Sequence, residues 1–189
     1  PDPSPNDPDF VAKKRDFIAS RLPAFTRRNG MVIAAVDGSV EFPLLEEGAM
    51  ERIATWISEK FKIREDRLIA ATMVGSGPAF TNHSPESTSL EYLLTPLSTL
   101  RLGAGDCYAR ANVLAGLLSK MPAGDGGAFE AYPTLVLGHI ITTVRCHRGW
   151  IPVDASFGHF YFRRDNRALA TTEELAKDLE MVDRVDPRR

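Results

Sequence analysis

Residues 103–121 read GAGDCYARANVLAGLLSKM, a glycine-rich turn that runs into an apolar helical pattern. We predict a helix over 107–121 with Asp106 as its N-cap. A cysteine in the first helical turn lies beside free backbone N–H groups and the positive end of the helix dipole, and both stabilise a thiolate. Cys107 is therefore the first candidate for a reactive group. Five positions share one face of this helix: Cys107, Ala111, Leu114, Leu118 and Met121.

The segment after this helix has strand-like patterns. Alternation within 139–146 puts His139 on one face of a strand and Cys146 on the other. We therefore expect no disulfide between Cys107 and Cys146, and we interpret Cys146 as a small core residue. The predicted strands span 129–137, 139–146, 150–155 and 160–163.

Asp154 lies at the end of the third of these strands, where it can meet His139. Directly opposed residues in a hairpin point to the same face. A loop at 148–149 sets Asp154 opposite Thr143, whereas a loop over 145–148 sets it opposite His139. We predict the longer loop or an equivalent bulge. A thiol, an imidazole that takes its proton and a carboxylate that orients the imidazole are the groups that acyl transfer requires.

Three ordered motifs resemble the transglutaminase-like superfamily in its bacterial form. The resemblance covers 97–160 and implies a papain-like α+β core, in which N-terminal helices pack on an antiparallel sheet and the nucleophile begins a helix. The chain departs from the family pattern at Ile141, where many members carry an aromatic residue, and at Ala155-Ser156, which replaces Pro-Thr. The motifs are Gly105-Asp106-Cys107 before a helix, His139 opening a strand, and Gly149-Trp150-Ile151-Pro152-Val153-Asp154 closing a hairpin.

The resemblance implies Cys107 as nucleophile, His139 as base and Asp154 as the acid that orients the histidine. The implied reaction is cysteine-dependent acyl transfer on a peptide, protein or small amide through a thioester. Resolution of the thioester by water makes the protein a peptidase or amidase, and resolution by an amine makes it a transglutaminase or another acyltransferase. Sequence does not choose between water and amine.

Two alternatives stay open. The order of motifs also resembles arylamine N-acetyltransferases, in which Asp154 followed by Phe157-Gly158 has a counterpart. In those enzymes an arginine-glycine-glycine sequence precedes the cysteine, whereas here residues 102–106, which precede Cys107, read LGAGD. The second alternative is a transglutaminase-like domain that has lost turnover and serves as a binding domain.

An oxyanion hole would combine the Cys107 backbone N–H with a second donor. The chain contains no glutamine, and Trp56, Asn82 and Tyr92 are the candidates. No cofactor is expected. The spacing of the three candidate catalytic residues matches no zinc pattern, so we expect no metal site either.

Size and charge limit the class of protein. The chain has 189 residues and a net charge of −2, with 23 basic and 25 acidic residues. We expect a single domain over 9–189, preceded at 1–8 by a flexible arm or linker in which prolines alternate with small polar residues. The balanced charge predicts no nucleic-acid partner. The apolar stretches are too short for a membrane span. We therefore expect a soluble protein and favour a cytoplasmic location. The sequence leaves the oligomeric state open.

The N-terminal half is predicted to be mainly helical. The apolar run 68–74 fits either a strand or a buried helix. The stretch 75–89 is rich in Gly, Pro, Ser, Thr and Asn and is predicted to be a loop that borders a site. Further predicted elements are helices over 9–22, 46–61, 90–94 and 171–179 and a strand over 31–36.

Overall fold

A computed structural model of the protein describes residues 1–76, 95–123 and 127–185. Helices are combined with two antiparallel sheets, which is the α+β class predicted from the sequence. The helices are α1 (Phe10–Ala19), α2 (Ala49–Lys60), α3 (Arg64–Ser76), α4 (Pro96–Leu102), α5 (Cys107–Leu118), α6 (Thr172–Lys177) and α7 (Glu180–Asp183). The strands are β1 (Ala24–Arg28), β2 (Met31–Asp37), β3 (Val40–Pro43), β4 (Ala131–Val136), β5 (His139–Cys146), β6 (Gly149–Asp154) and β7 (His159–Phe160).

Most predicted helices form close to their expected bounds. The apolar run 68–74 lies within α3 and is therefore a buried helix segment, not a strand. Thr171 caps α6 through a reciprocal capping box, in which its hydroxyl accepts from the Glu174 N–H and its own N–H donates to the Glu174 carboxylate. The predicted loop at 75–89 and helix at 90–94 lie outside the described residues, except for Gly75 and Ser76, which end α3.

The core is built around α5. This helix contacts α2, α3 and α4 on one side and β4 and β5 on the other, so helices pack on the sheet with strand order β4-β5-β6-β7. Leu114, Leu117 and Leu118 are fully buried there. A Cβ on Gly116 would come within 2.8 Å of the Pro96 Cβ, so the glycine permits α4 to approach α5 closely. In the described ranges no helix is both long and apolar enough to cross a membrane.

The N-terminal segment 1–8, expected to be a flexible arm or linker, lies against the domain. Asn166 Nδ2 donates to the Pro5 carbonyl oxygen at 2.7 Å. Asp2 Oδ1 lies 2.7 Å from the buried Lys14 ammonium, which also pairs at 2.8 Å with Asp66, another buried residue. The segment therefore covers a buried ion pair between α1 and α3.

Lys14→Met is expected to destabilise the protein strongly. Removal of one partner leaves the Asp66 carboxylate buried and unpaired, which costs about 3–5 kcal/mol of the free energy of unfolding at neutral pH. Burial raises the pKa of Asp66, and the Lys14 ammonium opposes that rise. Urea denaturation followed by far-UV circular dichroism measures the loss.

The pH dependence of the Lys14→Met loss follows from the direction of that pKa change. A raised pKa means that the folded state binds the Asp66 proton more tightly than the unfolded chain does, so acid favours folding through this group. Without the Lys14 ammonium the Asp66 pKa rises further, so the loss should be largest at neutral pH and should shrink in acid, where Asp66 is protonated in the folded state of both proteins. The double variant Lys14→Met/Asp66→Leu should recover most of the stability. A double variant no more stable than the single one would contradict the interpretation.

Candidate active site

The first turn of α5 is held by side chains on both of its sides. Asp106 Oδ1 accepts a hydrogen bond from the Ala109 N–H at 2.9 Å, as predicted for an N-cap. The buried Arg110 donates from Nε to the Gly105 carbonyl and from Nη1 to the Ser76 carbonyl, both at 3.0 Å. Cys107 is the first residue of the helix and is half-buried. The cysteine therefore begins a helix whose preceding turn is anchored to the end of α3.

His139 and Asp154 are joined by a direct side-chain contact. His139 Nε2 lies 2.8 Å from Asp154 Oδ2. The Asp154 side chain is 9% exposed and that of His139 is 34% exposed. Asp154 Oδ1 accepts from the Ser156 N–H at 2.7 Å, so both carboxylate oxygens are engaged. A buried carboxylate held in this way fixes the orientation of the imidazole.

The register of β5 and β6 differs from the prediction. Cys146 pairs with Gly149, so the hairpin loop has two residues, and the longer loop expected over 145–148 is wrong. The observed register pairs Val144 with Ile151, and both side chains are buried. The longer loop would instead have set Val144 opposite Gly149. Burial of opposed aliphatic side chains therefore decides the register.

The contact between His139 and Asp154 forms across a diagonal of the sheet. Thr142 pairs with Val153, and continuing that register sets Asp154 level with Ile141, two residues from His139 on the same face. His139 and Asp154 therefore meet as predicted, but the register of β5 and β6 that brings them together is not the predicted one. Diagonal neighbours of this kind are within reach of long side chains such as histidine.

A tight turn places His139 at the very start of β5. Val136 pairs directly with His139, and Leu137 and Gly138 form the two-residue connection between the strands. Both connecting residues have positive φ, 48° for Leu137 and 83° for Gly138, as a type I′ turn requires. The imidazole consequently projects at the end of the sheet, not from its middle.

The helix that carries Cys107 packs on the sheet face opposite to that of His139. Thr142, which alternates with His139 along β5, donates from Oγ1 to the Ala111 carbonyl of α5 at 3.3 Å. Cys146 lies on this same face, is half-buried and packs against the edge of the core. The expectation that strand parity separates Cys146 from Cys107 is wrong, because α5 covers the Cys146 face. Position along the strand separates the two cysteines, and both are free.

The first turn of α5 nevertheless lies at the His139 end of the sheet. Past the C-terminal end of α5, the Phe129 N–H donates to the Met121 carbonyl, and the Arg145 N–H donates to the Glu130 carbonyl near the Cys146 end of β5. The middle of α5 meets the middle of β5 through Thr142. The beginning of α5 therefore points to the end of β5 that carries His139.

The end of α3 links this first turn to the Asp154 segment. A Cβ on Gly75 would lie 3.2 Å from the Ala155 Cβ and 3.7 Å from the Arg110 carbonyl oxygen. Ala155 follows Asp154, and Arg110 is three residues after Cys107. The residue after Asp154 and the first turn of α5 therefore both lie next to Gly75.

The tautomer of His139 follows from its bond to Asp154. A carboxylate only accepts, so Nε2 carries the proton, and neutral His139 has its free lone pair on Nδ1. Within the described ranges no hydrogen bond joins the Cys107 thiol to His139 or Asp154. Of the three predicted catalytic residues, the structure joins two directly and sets the third at the start of the neighbouring helix.

Two residues near the site were not identified from the sequence. Arg110 interrupts an apolar helix pattern, and that interruption is the signal by which a structural role for its guanidinium group could have been found. The Phe157 ring centroid lies 5.7 Å from that of His139 and 5.5 Å from that of His159, and no sequence pattern indicated this contact.

The candidates for an oxyanion-hole donor are reduced by the structure. Trp56 Nε1 donates to Asp37 Oδ2 at 3.0 Å and is therefore engaged elsewhere. Asn82 and Tyr92 lie outside the described residues. Among the residues that the structure describes, no group of three His, Cys, Asp or Glu side chains is arranged to hold a metal ion.

Comparisons with known proteins add no relative. No family model matches the chain, and no curated protein and no solved structure is significantly similar to it. The resemblance to the transglutaminase-like superfamily consequently depends on the three ordered motifs alone.

Proposed function

We propose that this protein is a cysteine-dependent acyl-transfer enzyme of transglutaminase-like architecture that acts on amide bonds. The single observation that carries the proposal is the 2.8 Å contact between His139 and the buried Asp154, at the end of the sheet where α5 begins with Cys107. A histidine oriented by a buried carboxylate, at the end of the sheet toward which a helix that starts with a cysteine points, supports a proposal of nucleophilic catalysis.

In the proposed reaction the Cys107 thiol gives its proton to Nδ1 of His139. The Cys107 Sγ then attacks the amide carbonyl carbon, and the carbon–nitrogen bond breaks as the His139 imidazolium returns the proton to the leaving amine. Asp154 holds the Nε2 proton and stabilises the imidazolium throughout. The resulting thioester is resolved by water or by a second amine.

The proposal requires the thiol to reach Nδ1 around the end of the sheet. The start of α5 and the start of β5 lie at the same end of the helix–sheet layer, and His139 is the first residue of its strand. Catalytic hydrogen bonds are commonly long in an enzyme without substrate and tighten when the substrate binds. The absent bond between thiol and imidazole is therefore compatible with the proposal.

Intact-mass spectrometry of the acyl-enzyme tests the proposed function. The protein is mixed with a pool of short peptides, with or without a pool of primary amines, and quenched in acid. We expect the intact mass to increase by one acyl group, because the thioester survives acid. Digestion should then locate the adduct on the tryptic peptide that contains Cys107. A shorter adduct lifetime in the presence of amines indicates transfer, and an unchanged lifetime indicates hydrolysis.

The same experiment separates the two alternatives. An adduct that forms from acetyl-CoA and from none of the peptides would favour acetyl transfer of the arylamine N-acetyltransferase kind. No adduct from either source would overturn catalysis and leave a binding domain.

A further inference from the structure

Exposed apolar side chains border His139 on two sides. Val136 is 43% exposed, Leu137 is 103% exposed and Phe157 is 65% exposed. We call these three residues the apolar rim. Large apolar side chains that are this exposed hold apolar surface in contact with water. A bound apolar group would bury that surface, which is favourable.

The apolar rim is continuous with the His139–Asp154 pair. Val136 is the direct cross-strand partner of His139, so the two side chains lie on the same face. The Phe157 ring approaches the His139 ring from the turn between β6 and β7, with centroids 5.7 Å apart. A group that reacts beside His139 therefore has apolar surface next to it on both sides.

The segments that carry the rim have no formal charge. Residues 131–144 contain no Asp, Glu, Lys or Arg, and neither do residues 155–162, although 25% of the chain is charged. Exposed hairpins and turns are ordinarily polar, because charge keeps them in water. The local composition therefore favours an uncharged, apolar occupant over an ionic one.

The turn at Leu137 is strained, and the same chain shows the unstrained version of it. The β1–β2 hairpin uses Asn29-Gly30 with φ of 51° and 80°, and the β4–β5 hairpin uses Leu137-Gly138 with φ of 48° and 83°. Asn adopts this left-handed conformation readily, whereas a bulky aliphatic residue does so at a cost in stability. A strained, fully exposed leucine beside a catalytic histidine points to a role for its side chain in function.

We propose that the apolar rim binds an aromatic or large aliphatic side chain next to the reacting carbonyl of the acyl donor. This inference rests on the proposed function, and it specifies the substrate class of that same site. Donors with an apolar substituent are held against Val136, Leu137 and Phe157 while Cys107 attacks. Small or charged donors lack this contact and are used less well.

Hydrolysis of p-nitrophenyl phenylacetate and p-nitrophenyl acetate tests the substrate class. Cys107 Sγ bonds to the carbonyl carbon, p-nitrophenolate leaves with the electron pair of the broken carbon–oxygen bond, and water cleaves the thioester to the acid. Each kcat/KM is divided by the rate constant of the same ester with a small free thiol. We expect the phenylacetyl ester to be preferred by about tenfold or more, with most of the preference in KM.

Variants at the two comparable turns separate binding from folding. Leu137→Asn should raise the unfolding temperature, because Asn relieves the strained turn. It should also move the preference, the ratio of the normalised kcat/KM of the phenylacetyl ester to that of the acetyl ester, toward one. Phe157→Ser should also move it toward one. Asn29→Leu, in the β1–β2 turn, should lower the unfolding temperature and leave the preference as it is in the unaltered protein.

The possible failures are distinguishable. Acylation of Cys107 with equal normalised rates for both esters would overturn the apolar rim and leave the proposed function standing, as would a preference that Leu137→Asn does not change. A Leu137→Asn variant that lowers the oligomeric mass in sedimentation, with the preference intact, would show that a second copy of the chain covers the rim. No acylation of Cys107 by either ester would overturn both proposals.

Discussion

Cys107→Ala is expected to abolish acylation and to lower kcat for p-nitrophenyl acetate to background. Removal of a catalytic nucleophile costs about 10⁶-fold in kcat in a well-studied triad enzyme, and what remains comes from binding and the oxyanion hole. No other described residue of α5 offers a thiol, and the second cysteine of the chain lies at the far end of β5. Stopped-flow measurement shows the initial burst of p-nitrophenolate that accompanies acylation. Intact-mass analysis of the quenched protein shows the acyl adduct.

Cys146→Ala is the matched control for the nucleophile variant. Both cysteines are free and half-buried, but Cys146 packs against the core away from the His139–Asp154 pair. The control should retain the burst and carry its adduct on the Cys107 peptide. A burst that disappears in Cys146→Ala and persists in Cys107→Ala would remove Cys107 from the mechanism.

Asp154→Asn is expected to lower kcat by about 10⁴-fold, the size of the effect when the acid of a catalytic triad is replaced by its amide. In the variant the Asn oxygen can keep the Ser156 N–H bond, which leaves the amide NH₂ group facing His139 Nε2. That donor favours the tautomer with a lone pair on Nε2 and a proton on Nδ1. Nδ1 can then no longer accept the Cys107 proton. Steady-state kcat across pH measures the loss, which should be smaller at alkaline pH, where the thiolate forms without a base.

Asp165→Asn is the control for the acid variant. Asp165 Oδ1 accepts from the Arg167 N–H at 3.1 Å, the same residue spacing as between Asp154 and Ser156, but on the exposed surface. This variant makes the same chemical change in a similar local turn and should leave kcat within about twofold, as surface substitutions away from a site ordinarily do. An Asp154→Asn variant as active as Asp165→Asn would show that the His139–Asp154 contact has no part in turnover.

Features that depend on neighbours along the chain could be predicted from the sequence. The start of α5 at Cys107 and its Asp106 cap follow from helical spacing and from a side chain three residues before the Ala109 N–H. The capping box of Thr171 and Glu174 is a similar local signal. The alternation of His139 and Cys146 across β5 follows from the period of a strand.

Features that depend on packing between distant segments could not be predicted. The register of β5 and β6 is set by burial of Val144 against Ile151, and the loop residue Arg148 is held by Glu174 of α6 at 2.8 Å. Neither interaction is visible in the hairpin sequence alone. The contact of Phe157 with His139 depends on the path of the turn after Asp154, which no periodic pattern describes.

The sequence by itself determined which groups are available for chemistry: a thiol at the start of a helix, a histidine that opens a strand and an acid that ends the next one. These assignments follow from interactions within a few residues, where backbone geometry dictates the pattern. Only the tertiary structure decided that His139 and Asp154 meet across a diagonal and that α5 packs on the opposite face of their sheet. Register and choice of face are settled by burying side chains from segments distant in sequence, and that free energy belongs to the assembled core.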